Sequence, residues 1–299
     1  MSAHRFVTLD VFTSVPFGGN QLAVFPDASG IPEQSLLAIT REFNFSETTF
    51  CYPPDDPKHT RRVRIFTPTA EIPFAGHPTV GTAIALHPHG DGPAHLVLEE
   101  GIGPVPVTVR STGDGTAFAQ FSVAKLPELG PSAPSRGMLA EILSIDADDI
   151  LASPFAPQSL SCGIPFLLVP LRSVRAVSRA RVRLEKWEAT LKNSWAPEVF
   201  IFAKDPDGGD AHFRARMFAP GLNIAEDPAT GSANACFAGY LAARAPLANG
   251  SFAWTVDQGV EMGRASRLEI EADKADGVLT AIRVGGSAVF VSEGVLTLR

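Results

Sequence analysis

Apolar and polar positions alternate along most of this chain in short runs, and the runs fall into two similar sets. In the first half, residues 6–12, 21–25, 48–52 and 63–66 alternate or are continuously apolar over strand length, bounded by Gly, Pro, Asn and Asp. Residues 32–43 carry the helical spacing and fall between the second and third of these strands. In the second half, residues 165–169, 198–203 and 213–218 predict strands, and residues 184–195 predict the corresponding helix. Each half continues into an apolar helix, residues 78–86 or 228–243, and then into further strands.

The two sets are related by sequence as well as by pattern. RVRIFTP at 62–68 and RARMFAP at 214–220 share Arg, Arg, Phe and Pro at an offset of 152 residues. HPTVGTA at 77–83 and DPATGSA at 227–233 follow at an offset of 150, so His77 aligns with Asp227. The expectation is an α+β chain of two pseudo-symmetric halves. KLPELGPSAPSRG at 125–137 is rich in Pro, Gly and Ser and places the boundary, giving an N-terminal half over 1–124 and a C-terminal half over 125–287.

Composition narrows the functional classes. With 299 residues, 45% of them hydrophobic and 19% charged, each half can bury a core of its own. A net charge of -7 without a basic run disfavours nucleic acid, whose phosphates require clustered Lys and Arg. No apolar stretch reaches the roughly 20 residues of a membrane span. The N-terminal MSAHRFVTLDVF reads as a strand and not as a signal peptide, so a cytoplasmic protein is expected. Cys51, Cys162 and Cys236 are odd in number and lack Cys-x-x-Cys spacing, which indicates neither a disulfide framework nor a thiolate metal site. His87-Pro-His89 lacks partners at ligand spacing, and no metal or other cofactor is expected. A homodimer is the expected assembly, as the commonest soluble oligomer.

Candidate chemistry gathers at the two repeated helix starts. Asp227 is a suitable N-cap and Pro228 suits the first helical position. A helix start presents free N–H groups and partial positive charge, which suits a carboxylate ligand. Gly76, Gly231, Thr82 and Ser232 would let such a ligand approach the backbone. His77 can serve as acid, base or donor near neutral pH, whereas His4, His59, His87, His89, His95 and His212 read as structural. Glu47, within NFSETTF, has no Lys or Arg between Arg41 and Lys58, and partial burial there would suit a general base. Only the first half supplies it.

Phe45-Ser-Glu-Thr-Thr-Phe50, Phe66-Thr-Pro68, Glu71 with Phe74-Ala-Gly-His-Pro-Thr79, and Glu226-Asp-Pro-Ala-Thr-Gly-Ser-Ala233 resemble the signature segments of the phenazine-biosynthesis, PhzF-like isomerase family. Leu9-Asp-Val-Phe12, Gly19-Asn20, Ala23-Val24-Phe25 and the closing segment from Gly285-Gly286 to Leu298 extend the resemblance along the chain. Gln21 departs from the family, which usually carries Pro after Gly-Asn.

The resemblance implies a diaminopimelate epimerase-like fold. Each half would be a curved, mostly antiparallel sheet around a central helix, the last strand, 288–299, completing the first half, with the site in the cleft between them. It implies Glu47 as the catalytic acid/base, His77, Asp227 and Ser232 as substrate contacts, and Gly76, Gly231 and Asn20 beside them. Two-base relatives carry opposing cysteines at the helix starts, where Ala75 and Ala225 are expected here, so a single-carboxylate proton shift on a small carboxylate-bearing metabolite is favoured. An epimerase or racemase with a second base is the alternative within enzymes, and a non-catalytic metabolite-binding protein the alternative outside them.

Overall fold

The computed structural model describes residues 2–87, 94–113, 116–207 and 209–298. Contacts divide the chain into two compact units, Met1–Ala124 with Val284–Arg299, and Lys125–Arg283.

The first unit contains β1 (Ser2–Val11), β2 (Asn20–Phe25), α1 (Glu33–Phe43), β3 (Glu47–Tyr52), β4 (Arg61–Phe66), β5 (Glu71–Ile72), α2 (Gly76–Leu86), β6 (Ala94–Glu100), β7 (Gly103–Ser111) and β8 (Ala117–Ser122). Its ladder runs β1–β2–β3–β4–β6–β7–β8, parallel at β2–β3 and β4–β6 and antiparallel elsewhere. The last strand of the chain, β17 (Val278–Leu298), pairs with both β8 and β1 and so closes the barrel. Closure leaves no free edge among these strands.

Within the barrel lies α2, packed against β1, β2, β3, β6, β7 and β8. Every residue of α2 from Gly76 to Ala85 is buried, which explains its composition: a helix wrapped by sheet is apolar all round. Gly81 is required there by contact, because a Cβ would meet Leu22 Cδ2 at 2.5 Å and Val11 Cγ2 at 2.7 Å. The outer face of the sheet is covered by α1, where Leu36 and Ile39 join Phe25, Phe50 and Phe66 in a separate core.

The second unit repeats this order. It comprises β9 (Glu128–Leu129), α3 (Arg136–Leu143), β10 (Gln158–Ser161), β11 (Pro165–Pro170), α4 (Val174–Arg179), α5 (Leu184–Thr190), β12 (Glu198–Lys204), β13 (Phe213–Ala219), β14 (Ile224–Asp227), α6 (Gly231–Ala242), β15 (Gly250–Gln258) and β16 (Ser266–Ala275). Parallel pairing recurs at the corresponding places, β11–β12 and β13–β15. The fully buried α6 packs against β10, β11 and β16, with Phe237 and Tyr240 set among Phe200, Phe202 and Phe213. Asp276 and Gly277, at φ 51° and 80°, form the two-residue turn from β16 into β17, a conformation suited to Asp-Gly.

Two expectations about elements are corrected. The helix expected over 184–195 ends at Thr190, where the Leu191 N–H closes on the Trp187 carbonyl and the chain turns. The helix expected from Pro228 begins at Gly231. Within 125–137, β9 pairs with β10 and Ser135 caps α3 by accepting from the Met138 N–H.

Candidate functional site

In the first unit the start of a strand and the start of a helix bring together the residues singled out by sequence. Glu47 opens β3, level with Leu22 of β2, and its side chain points inward to α2, as does Thr49, whose hydroxyl lies 2.9 Å from that of Thr82. His77 is the second residue of α2, and Ala75, in extended conformation, is the cap residue ahead of Gly76. His77 Nε2 lies 3.3 Å from Glu47 Oε2, with the residues 4% and 8% exposed.

On the other side of the ring, Nδ1 lies 3.2 Å from Nδ2 of Asn20, the first residue of β2. Burial pushes the imidazole down to about 3, opposed by a hydrogen bond with the Gln21 backbone. The ring is therefore uncharged at neutral pH. The departure at Gln21 meets the ring through main chain, so this contact does not depend on the side chain there.

The second unit brings together Asp227, Thr230, Gly231 and Ser232. Asp227 ends β14 opposite Met217, and its Oδ2 accepts from the Thr230 hydroxyl at 2.5 Å. Gln258, fully buried at the end of β15, ties the turn together. Its Oε1 accepts from the Thr230 N–H (3.3 Å) and Asn234 Nδ2 (3.0 Å), and its Nε2 donates to the Asp227 carbonyl (2.8 Å) and Thr230 Oγ1 (3.0 Å). Gly259 packs so closely that a Cβ would meet the Pro228 carbonyl oxygen at 2.6 Å.

These contacts correct the expectation for Asp227. It is a strand residue and not an N-cap; the cap position of α6 is held by Thr230. The residue before a proline is driven to extended backbone, so Pro228 ends β14 and does not open the helix.

The register of the repeat is corrected with it. Ile65 pairs with Ile72, and Met217, 152 residues on, pairs with Asp227, which is 155 beyond Ile72. The same 155 separates Gly76 from Gly231, so the connection between these strands is three residues longer in the second unit. His77 thus corresponds to Ser232, and Ala75 corresponds to Thr230 and not to Ala225. Neither cap residue is a cysteine; Cys51 and Cys236 are buried and Cys162 lies on neither helix start.

The carboxylate is also duplicated, against the expectation that only the first half supplies one. Glu47 precedes Thr48, which pairs with Phe66; Glu198 precedes Val199, which pairs with Phe218. Glu198 stands in a different setting: burial raises its carboxyl to about 7, opposed by a hydrogen bond from the Gly221 backbone. The sequence signal for Glu198 was its place at the head of a repeated strand.

The repeated arginines serve the framework. Arg64 binds Glu33 and Glu71, and Arg216 binds Glu226. Among the described residues no group of three or more His, Cys, Asp or Glu is placed to hold a metal ion, and His89 lies outside them. No helix among them is long and apolar enough to cross a membrane.

Comparison with known proteins gives concordant results. The family model described as "Phenazine biosynthesis-like protein" (PhzC-PhzF) matches residues 9–294. An uncharacterized isomerase of Mesorhizobium japonicum is 41% identical, covering 99% of both chains. A trans-2,3-dihydro-3-hydroxyanthranilate isomerase of Pseudomonas fluorescens is 35% identical, covering 99% of this chain and 100% of the relative. The crystal structure of a PhzF-family phenazine biosynthesis protein from Bacillus anthracis matches with a TM-score of 0.89 at 25% identity, covering 100% of both chains. The fold is the diaminopimelate epimerase-like one that the resemblance implied.

Proposed function

The chain belongs to the phenazine biosynthesis-like (PhzF) family and is an isomerase, and from that premise we propose that it moves a proton between two carbons of a small carboxylate-bearing metabolite, with Glu47 as the acid/base. The observation that carries this reading is the buried Glu47–His77 pair at the start of α2. The Glu47 carboxylate takes a proton from carbon as that C–H bond breaks and a double bond shifts, and the resulting carboxyl returns the proton to another carbon on the same face. Atoms and charge balance without a co-reactant.

The neutral His77 ring stands between Asn20, beside its Nδ1, and Glu47, beside its Nε2. A polar group fixed in place before the reaction begins stabilises charge that develops on the carboxylate or the substrate. Substrate contacts are assigned to His77, Asn20, the Gly76 backbone, Asp227, Ser232 and the Gly231 backbone. The substrate proposed is of the trans-2,3-dihydro-3-hydroxyanthranilate type, by analogy with the Pseudomonas fluorescens relative.

The test is to incubate the protein with that compound and follow its carbon-bound protons by NMR. Conversion to a ring isomer supports the reading. A compound that stays unchanged, with no proton exchanged, refutes the substrate assignment.

A further inference from the structure

Beneath the start of α2 lies a second carboxyl group that the proposed reaction does not use. Glu100 ends β6 and is buried. Its Oε1 lies 2.8 Å from Thr79 Oγ1, and the same Thr79 oxygen lies 2.8 Å from the carbonyl oxygen of Ala75, the cap residue of α2. A threonine hydroxyl has one hydrogen to donate. The Ala75 carbonyl can only accept, and an ionised Glu100 could only accept. Both contacts are satisfied together only when Glu100 carries the hydrogen, donating to Thr79, which in turn donates to Ala75.

The second unit supplies its own comparison. Thr79 is the fourth residue of α2 and Asn234 the fourth of α6; Asn234 Nδ2 reaches the carbonyl of its cap residue Thr230 at 3.0 Å and Gln258 Oε1 at 3.0 Å. Gln258 stands where Glu100 stands. Each is followed by a glycine, Gly101 or Gly259, pressed against a proline, Pro73 or Pro228. One unit thus builds this support from an amide, which is always neutral. Asn234 has two hydrogens and can serve both acceptors; Thr79 has one and needs its partner to be a donor.

We propose that Glu100 is a positioning residue acting in its protonated form, donating through Thr79 to the Ala75 carbonyl and so fixing the first turn of α2 and the aim of His77. The surroundings agree. Burial raises the Glu100 carboxyl to about 8, with only the Thr79 hydrogen bond opposing it. From β3 the nearby titratable group is the Cys51 thiol, itself pushed up to about 12 and uncharged. On α2 the ring of His77 is neutral. Of the charges on β4, β5 and β6, Arg61, two residues along β4 from Val63, donates to the Thr60 carbonyl, while Arg62 lies with Asp55, Arg64 with Glu33 and Glu71, and Glu99 with His59. Above the pH at which Glu100 ionises, its carboxylate takes the Thr79 hydrogen and the Ala75 carbonyl loses its side-chain partner.

The importance of that turn for turnover rests on the proposed function; the protonation and the coupling to His77 do not, so the test begins without substrate. Protein labelled with 13C at glutamate carboxyls and at histidine rings is titrated by NMR, as wild type and as Glu100→Gln. The expected result is one carboxyl resonance titrating near pH 8 and absent from Glu100→Gln, with the His77 ring signals moving at the same pH in wild type alone. Absence of that carboxyl titration, or His77 signals that ignore it, overturns the proposal even if Glu100→Gln does not fold. With a turned-over substrate, wild type loses kcat/KM as pH rises through the Glu100 transition. Glu100→Gln keeps its activity across that range, and persistence of the alkaline loss in the variant overturns the positioning role.

Discussion

Replacing Gln258 with methionine tests how the Asp227 turn is held. Methionine matches glutamine in length and lacks branching, so it fills the space while removing the amide. Four hydrogen bonds go: from Thr230 N–H and Asn234 Nδ2, and to the Asp227 carbonyl and Thr230 Oγ1. Two of these groups retain a partner in the same network, since Asn234 Nδ2 still reaches the Thr230 carbonyl and Thr230 Oγ1 still reaches Asp227 Oδ2. The cost therefore comes mainly from the Thr230 N–H and the Asp227 carbonyl, at about 1–3 kcal/mol for each buried group that loses its bond. The sum, roughly 2–6 kcal/mol, is a large share of the 5–15 kcal/mol typical of a whole domain. Urea unfolding of Gln258→Met should show a midpoint lowered to match, with amide exchange faster at the start of α6 than in α2. A loss below about 1 kcal/mol would mean that the four contacts do not hold the turn.

Two further outcomes follow from packing and burial. Gly81→Ala should destabilise by about 1–3 kcal/mol, because the new methyl enters a full core against Leu22 and Val11; thermal unfolding checks this, and an unchanged Tm contradicts the packing of α2. Glu198 has a folded pKa of about 7, above the model-peptide carboxylate value, so its contribution to stability is complete at acid pH and is lost as pH rises through about 7. Glu198→Gln should flatten the fall in stability between about pH 4.5 and 7; a variant with the wild-type pH profile rules this out.

The fold was largely legible in the sequence because strand alternation and the Arg-x-Arg-x-Phe repeat survive in both halves. The central helices were legible as apolar runs, though α2 and α6 are buried on every side and so offer no helical period to fix their ends. That is why the sequence pattern places the start of α6 at Pro228 and the structure at Gly231. Two local rules competed at Asp227-Pro228: proline suits the first turn of a helix, and proline keeps the residue before it extended. The second prevailed because Gln258 and Gly259 clasp the turn.

The slipped register had a similar origin, since HPTVGTA and DPATGSA match by letters while the structure aligns Gly76 with Gly231. Glu47 and His77 were identifiable through family motifs, but their meeting is a tertiary event, the head of a parallel strand reaching the head of the helix beside it. Glu100 and Gln258 carried no sequence signal, because a polar residue at a strand end ordinarily faces water and only the folded chain shows these two buried. Their correspondence became visible only once strand pairing set the register.

Whether a single carboxylate moves the proton is decided at Glu47. The most direct measurement compares wild type and Glu47→Gln on a turned-over substrate in heavy water, with NMR locating deuterium at the carbon that receives the proton. In wild type, deuterium is expected at that one carbon alone, in proportion to how far the Glu47 carboxyl exchanges with solvent before it returns its proton, and turnover in the variant is expected to fall by about 10²–10⁴-fold, the usual contribution of a general acid–base group. Turnover by Glu47→Gln at the wild-type rate would contradict the role of Glu47.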